Sequence, residues 1–161
     1  MRSATVQRLP DGTVRLDRWP VWAHGLLLRL PALSDPDVPG VAHDRLYPLP
    51  RDDAAHAEEW RRHVHPELFS LLASAREIVE KDLTGARRGK LGSLKRMDIP
   101  PAHLPGWIAA LNAARLRIAA EHDVDAAAMK AALPDLPEPL REPVAMIDFF
   151  GWFQQTLVEG L

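Results

Sequence analysis

Residues 143–158 read PVAMIDFFGWFQQTLV, and nine of these side chains are large and apolar or aromatic. At helical spacing they cover nearly the whole circumference of a helix. A helix of this kind is surrounded by protein. The segment therefore predicts a central last helix that begins near Pro143 and packs against the helices containing Trp107 and Leu68.

Apolar residues recur at helical spacing in four further segments, at residues 20–30, 54–79, 102–121 and 124–133. Pro31 is expected to end the first helix, and Pro66 either begins or bends the second part of the longest segment. Asp52 and Asp53 suit the amino-terminal cap of that segment. The chain is therefore predicted to be mostly α, a helical bundle of about five or six helices.

A short N-terminal β-hairpin is predicted at residues 4–17. Apolar and polar residues alternate on both sides of Pro10, Asp11 and Gly12, a sequence typical of a turn. Two strands alone are marginally stable in water, so the hairpin must pack on the helices or pair with a second copy of itself.

Length and composition indicate a single helical domain over residues 1–161. The chain has 20 Lys and Arg against 22 Asp and Glu, so no overall field attracts nucleic acid or an anionic membrane. Cysteine is absent, which excludes disulfides, thiol catalysis and thiolate metal sites. Neither a signal peptide nor a membrane-spanning segment is evident, so we expect a cytoplasmic protein without a membrane partner.

Two segments interrupt the helical pattern. Residues 31–51 contain five prolines and are expected to form an extended connection on the surface. Residues 84–97 are predicted to form a Gly-rich basic loop. Its basic side chains are Arg87, Arg88, Lys90, Lys95 and Arg96. The glycine spacing does not match a phosphate-binding loop, so solvation is the favoured interpretation of these charges.

One group of residues has the spacing of metal ligands. His56, Glu59 and His63 are three and four residues apart, so on a helix they project from one face and could hold a metal. A solvated stripe of the same residues is the favoured interpretation, because the zinc signature with Glu next to the first His is absent. We therefore expect no cofactor.

Polar residues interrupt the apolar faces of two predicted helices. Asn112 and Arg115 lie on the Trp107 helix, and Asp148 and Gln154 lie on the last helix. Burial without partners would cost several kcal/mol for each side chain, so the sequence predicts an ion pair between Arg115 and Asp148 with the two amides completing the network. Fixing the helix register is the favoured role, and a ligand site is the alternative.

Four segments of the chain resemble one bacterial family. They are RLYP at residues 45–48, EWRR at 59–62, WIAALNAARL at 107–116 and DFFGWFQ at 148–154. The family is a domain of unknown function common in actinobacteria and often encoded beside the ClpS protease adaptor. Its members include proteins named as oxidative-stress regulators. The resemblance implies a mostly helical regulatory protein, and redox sensing through cysteine cannot apply to this chain.

These observations favour a non-enzymatic regulatory or adaptor-like module that binds a protein partner, in a stress-related role. Tyr47 and the five basic side chains of residues 84–97 are the candidate contact residues, and a homodimer also fits the sequence. One alternative is a metal-binding protein or enzyme that uses His56, Glu59 and His63. Another is a nucleic-acid-binding regulator that uses residues 87–96, which the overall acidity of the chain disfavours.

Overall fold

The computed structural model describes residues 3–50 and 54–159. In chain order the strands are β1 (Thr5–Arg8), β2 (Val14–Trp19), β3 (Arg87–Arg88) and β4 (Leu94–Ile99). The helices are α1 (Val21–Leu33), α2 (Val41–Leu46), α3 (Ala54–Gly85), α4 (Leu104–Glu121), α5 (Ala126–Lys130) and α6 (Glu138–Glu159). The prediction of a mostly α fold is confirmed.

Helix α4 occupies the centre of the helical layer. It packs against α1, α2, α3 and α6, and Trp107 is completely buried within it. Gly106 permits the close approach of α3, since a Cβ atom there would lie 3.0 Å from Cδ1 of Ile78. The prediction that the last helix is central is therefore wrong.

Helix α6 buries one face and exposes the other. Phe150, Phe153 and Leu157 are completely buried, whereas Trp152 and Val158 are exposed. This helix packs chiefly on α4, and α3, which contains Leu68, packs on α1 and α4 instead. The apolar residues distributed around the circumference of α6 are therefore divided between a buried face and an exposed face.

The predicted hairpin is part of a larger sheet. Strands β1 and β2 pair antiparallel, and the four-stranded sheet has the order β1-β2-β4-β3. The segment predicted to be a basic loop supplies β3 and β4, with Leu94 and Ile99 buried against the helices. Strand β4 pairs with the edge of β2 that faces away from β1. This third strand supplies the additional pairing that a two-stranded hairpin needs to be stable in water.

Proline is accommodated inside three helices. Helix α1 continues through Pro31, and the backbone N–H of Ser34 donates to Leu30 O at 2.9 Å, which completes the last turn. Helix α3 is one helix that contains Pro66, and α6 begins at Glu138, five residues before Pro143. The prediction that Pro31 ends its helix is wrong, because a proline in the last turn removes only one intrahelical bond.

The proline-rich connection is also partly helical. Helix α2 lies within residues 31–51, where the sequence predicted an extended chain. The predicted caps Asp52 and Asp53 lie outside the described residues. Within residues 3–50 and 54–159, no helix combines the length and apolar character needed to cross a membrane.

Replacing Phe150 with alanine tests the packing of α6. Phe150→Ala is expected to lower the free energy of unfolding by about 3–5 kcal/mol, because it leaves a cavity in the core. Val158→Ala on the exposed face of the same helix is the control and should change it by less than about 1 kcal/mol. Urea denaturation measures both, and equal losses would contradict the assignment of the buried face.

Candidate functional site

An apolar groove of about 310 Å³ lies between β1, the start of α1 and α6. Its aromatic walls define what we call the aromatic groove and comprise Trp19, Trp22, Phe149 and Trp152. Trp22 is 64% exposed and Trp152 is 53% exposed. Indole rings are usually well buried, and clustered exposed apolar side chains mark surfaces that bind other molecules.

Trp19 forms the buried base of this aromatic groove. Arg18 adopts a left-handed conformation (φ 55°) immediately before it, and the Trp19 indole N–H donates to Thr5 O at 3.2 Å. The ring packs edge-on against Phe149 and Phe153, with centroids 6.1 and 5.3 Å away. Trp19 is therefore the side chain through which strand β2 packs on helix α6 at the base of the groove.

The two exposed tryptophans stand on opposite elements above this base. Trp22 on α1 packs edge-on against Phe149 with centroids 5.7 Å apart. Trp152 on α6 lies 6.0 Å from both Trp19 and Phe149. Aromatic contacts thus hold each indole in place, while more than half of each tryptophan stays exposed, which gives a rigid apolar surface.

A second cavity, of about 400 Å³, shares Trp152 with the aromatic groove as a lining residue. We call it the Arg115 cavity, and Arg115, Asp148, Gly151, Trp152 and Gln154 are among its lining residues. The guanidinium group lies over the backbone of α6, where a Cβ at Gly151 would be 3.3 Å from three of its atoms. Glycine at this position therefore makes room for the arginine.

The predicted ion pair between Arg115 and Asp148 does not form. Arg115 Nη1 donates to Gln154 Oε1 at 2.9 Å, but no carboxylate of the described residues pairs with the guanidinium group, and its Nε is buried without a partner. Asp148 and Asn112 are exposed. The physical reason is that α6 turns Asp148 toward solvent, where water stabilises the carboxylate without a cation.

The predicted contact residue Tyr47 lies inside the protein. The residue is 2% exposed, its ring is tilted by 33° against that of His65 with centroids 4.2 Å apart, and its hydroxyl donates to Pro36 O at 2.9 Å. Burial raises the pKa of this hydroxyl, and Asp37 and Asp35 raise it further. Tyr47 therefore anchors the proline-rich segment to the core and exposes little surface of its own.

The predicted metal ligands do not converge. His56, Glu59 and His63 lie along α3 beside Trp60, at an open surface. Across the parts of the chain that the structure describes, no group of three His, Cys, Asp or Glu side chains could hold a metal ion. The helix spacing is correct for a stripe, but within residues 3–50 and 54–159 these side chains are not part of a group that could hold a metal.

Two of the five predicted basic residues meet in a cavity. Arg87 and Arg96 help to line a space of about 410 Å³, which we call the basic cavity. Arg88, Lys90 and Lys95 are exposed and do not line it. The other lining residues are Arg15, Lys81, Asp82, Gly85, Met97 and Asp98.

Ion pairs order part of the basic cavity. Arg15 donates from Nε and Nη2 to the two carboxylate oxygens of Asp98, both at 2.7 Å, and Arg96 Nε donates to Asp17 at 2.8 Å. Sequence reasoning missed Arg15 and Asp98, because the residues that pair are about eighty positions apart. Only the register of β2 with β4 brings them together.

A buried carboxylate joins α3 to the start of α4. Asp82 accepts a hydrogen bond from Trp107 Nε1 at 2.8 Å and one from His103 Nδ1 at 2.9 Å. The side chain of Asp82 is only 7% exposed. Sequence reasoning missed this cluster too. Asp82 lies among other polar residues near the end of a helix, and no motif distinguishes it from a solvated side chain.

A family model described as a domain of unknown function (DUF2017) matches residues 4–161. No curated protein and no solved structure matches the chain.

Removing Asp82 tests the buried cluster. Asp82→Ala is expected to lower the free energy of unfolding by about 2–3 kcal/mol, because it leaves the Trp107 indole N–H buried without an acceptor. Glu77→Ala, at an exposed position of the same helix, should change it by less than about 0.5 kcal/mol. Urea denaturation of the two variants gives the comparison, and a loss for Asp82→Ala no larger than the control would contradict the hydrogen bond.

The ion pair at the basic cavity predicts a pH dependence. Hydrogen bonding to Arg15 holds the pKa of Asp98 below its usual range. The carboxylate therefore stabilises the fold above the unfolded-state pKa of about 4, and this contribution is lost as pH falls through the folded-state value. Asp98→Asn should cause a small loss of stability at pH 7, since the carboxylate is 40% exposed.

Denaturation of Asp98→Asn and the unchanged protein at a series of pH values tests this. The difference in unfolding free energy should shrink as the pH falls below about 4. A difference that stays constant down to the lowest pH would show that the carboxylate charge is not its source.

Proposed function

The chain belongs to the DUF2017 family of domains of unknown function, and we propose that it is a regulatory or adaptor-like module that binds a protein partner in the aromatic groove. One observation carries this proposal: Trp22 and Trp152 are both more than half exposed and face the same apolar groove. Tryptophan is enriched among the residues that dominate binding energy at protein interfaces.

The occupant we propose is a partner segment that carries a bulky apolar side chain near a carboxylate. The apolar side chain would fill the aromatic groove, and the carboxylate would meet Arg115 across Trp152. Charge complementarity supports the second contact, because Arg115 is a half-buried cation without a carboxylate partner in the described part of the chain. Arginine pairs well with carboxylates, through charge-assisted hydrogen bonds.

The cellular context that we propose for this role rests on the resemblance of the four sequence segments described above. We propose that the partner belongs to a stress-related regulatory system in the cytoplasm, and the association with the ClpS adaptor is part of the same proposal. The role requires no catalytic group and no cofactor. A groove with rigid aromatic walls favours binding, because little side-chain entropy is lost when a partner docks.

Peptide selection on the immobilised protein tests the proposal. A random-peptide display library is enriched on the unchanged protein, and the dissociation constants of enriched peptides are then measured by fluorescence anisotropy. We expect the peptides to share a bulky apolar residue beside an acidic residue or a terminal carboxylate. Trp22→Ser and Trp152→Ser should each weaken binding by about tenfold or more.

Two controls separate the groove from general apolar binding. Leu28→Ser changes an exposed apolar side chain of α1 that does not line the groove, so it should leave the affinity within about twofold. Arg115→Met should weaken binding of peptides that carry the acid but not of their amide counterparts. Circular dichroism confirms that each variant is folded.

Three outcomes would overturn the proposal. The first is a selection that enriches no apolar peptide, and the second is an affinity that Trp152→Ser leaves unchanged. The third is a dimer in sedimentation experiments that dissociates on Trp22→Ser, since a second copy of the chain would then occupy the groove.

A further inference from the structure

We propose that the basic cavity is a binding site for a phosphate monoester, separate from the aromatic groove. Four cationic side chains surround its volume of about 410 Å³: Arg15 on β2, Lys81 on α3, Arg87 on β3 and Arg96 on β4. These cations come from four elements, so the fold rather than a single charged segment creates the site.

The sheet register places like charges opposite each other. Arg87 of β3 is the direct partner of Arg96 of β4. Like charges in such a cross-strand pair repel and destabilise a sheet. An anion bound between the two guanidinium groups would reverse the sign of this interaction, which is the first observation that points to a ligand.

The carboxylates near the cavity are already engaged. Asp98 is held by two hydrogen bonds from Arg15, and Asp17 accepts from Arg96 Nε. Asp82 accepts from Trp107 and His103, as described above. Lys81 and Arg87 form no ion pair with any residue of the described ranges, so two cations of the cavity lack an acidic partner.

The sum of charges leaves the cavity positive. Four cations stand against the three carboxylates of Asp17, Asp82 and Asp98, and the carboxyl end of α3 at Gly85 contributes roughly half a negative charge. The remainder from these groups is about half a positive charge. Arg87 and Arg96 also contribute to the lowered pKa of Asp98, which agrees with a positive field at this position.

Phosphate is the anion that best fits the free donors. Arg87 and Lys81 have all their N–H groups available, and Arg96 uses only Nε in its contact with Asp17. A monoester phosphate offers three oxygens to such donors, whereas a carboxylate offers two. None of the described residues that line the cavity is aromatic, so no ring is available there for a base to stack on, and this argues against single-stranded nucleic acid.

Isothermal titration calorimetry at low salt tests the site with inorganic phosphate, phosphoserine and adenosine monophosphate as probes. Saturable binding is expected for the unchanged protein. Arg87→Gln and Lys81→Gln should each weaken it by about tenfold, because each removes one charge-assisted contact. Preference for phosphoserine would identify a phosphorylated side chain as the source, and preference for the nucleotide would identify a small molecule.

The neighbouring residue provides a matched control. Arg88→Gln changes the net charge by the same amount at an exposed strand position that does not line the cavity, so it should leave the affinity within about twofold. Asp98→Asn removes a repelling negative charge and one of the two acceptors that hold Arg15, so it should tighten phosphate binding. Because this variant is expected to increase the affinity, it still tests the proposal if Arg87→Gln or Lys81→Gln fails to fold.

Several results would overturn the proposal. They are the absence of saturable heat with all three probes, an equal loss of affinity for Arg88→Gln and Arg87→Gln, or weaker binding by Asp98→Asn. Tight binding of a DNA or RNA oligonucleotide that depends on Arg88 and Lys95 would assign these charges to nucleic acid instead. Trp152→Ser should leave phosphate binding unchanged, so this test and that of the aromatic groove succeed or fail independently.

Discussion

The burial of Trp107 is the constraint on which both surfaces depend. Its ring is inaccessible to solvent, and an indole N–H in such a place requires an acceptor, which Asp82 supplies from α3. The same ring packs edge-on against Phe153 of α6, with centroids 6.0 Å apart. One side chain of α4 therefore fixes how both neighbouring helices are rotated about their axes.

These rotations place the functional side chains. On α3, Lys81 precedes Asp82 and lines the basic cavity beside the sheet. On α6, Trp152 precedes Phe153, so it lies at the surface next to Trp19. The core contact of each helix is thus one residue from a side chain of a binding surface, and a rotation of either helix would displace both.

The sequence alone predicts the long helices, because their buried faces repeat at the helical period, and it predicts the hairpin through its turn residues, but it does not predict the short helix α2. It does not predict β3 and β4, since the buried residues Leu94, Met97 and Ile99 are three and two positions apart rather than strictly alternating, and the partner strand β2 lies about eighty residues away. The sequence predicts burial for the outward aromatic residues of α6 as well, because composition cannot distinguish a buried side chain from the wall of a groove. The charges of Arg87 and Arg96 were visible, whereas Arg15 and Lys81 join them only through the fold.

Two residues are unfavourable for local stability, and both lie at proposed binding sites. Gly151 lies inside α6, where glycine costs up to about 1 kcal/mol relative to alanine, and the space it leaves holds the Arg115 guanidinium group. Arg87 faces Arg96 across a strand pair, where a neutral or acidic partner would be more stable. The core of this fold is well packed, and these two locally unfavourable positions lie at cavities. The free energy of binding a ligand there can offset their cost in stability. Both conflicts lie at cavities, which is why a partner carboxylate at Arg115 and a phosphate between Arg87 and Arg96 follow from one physical argument.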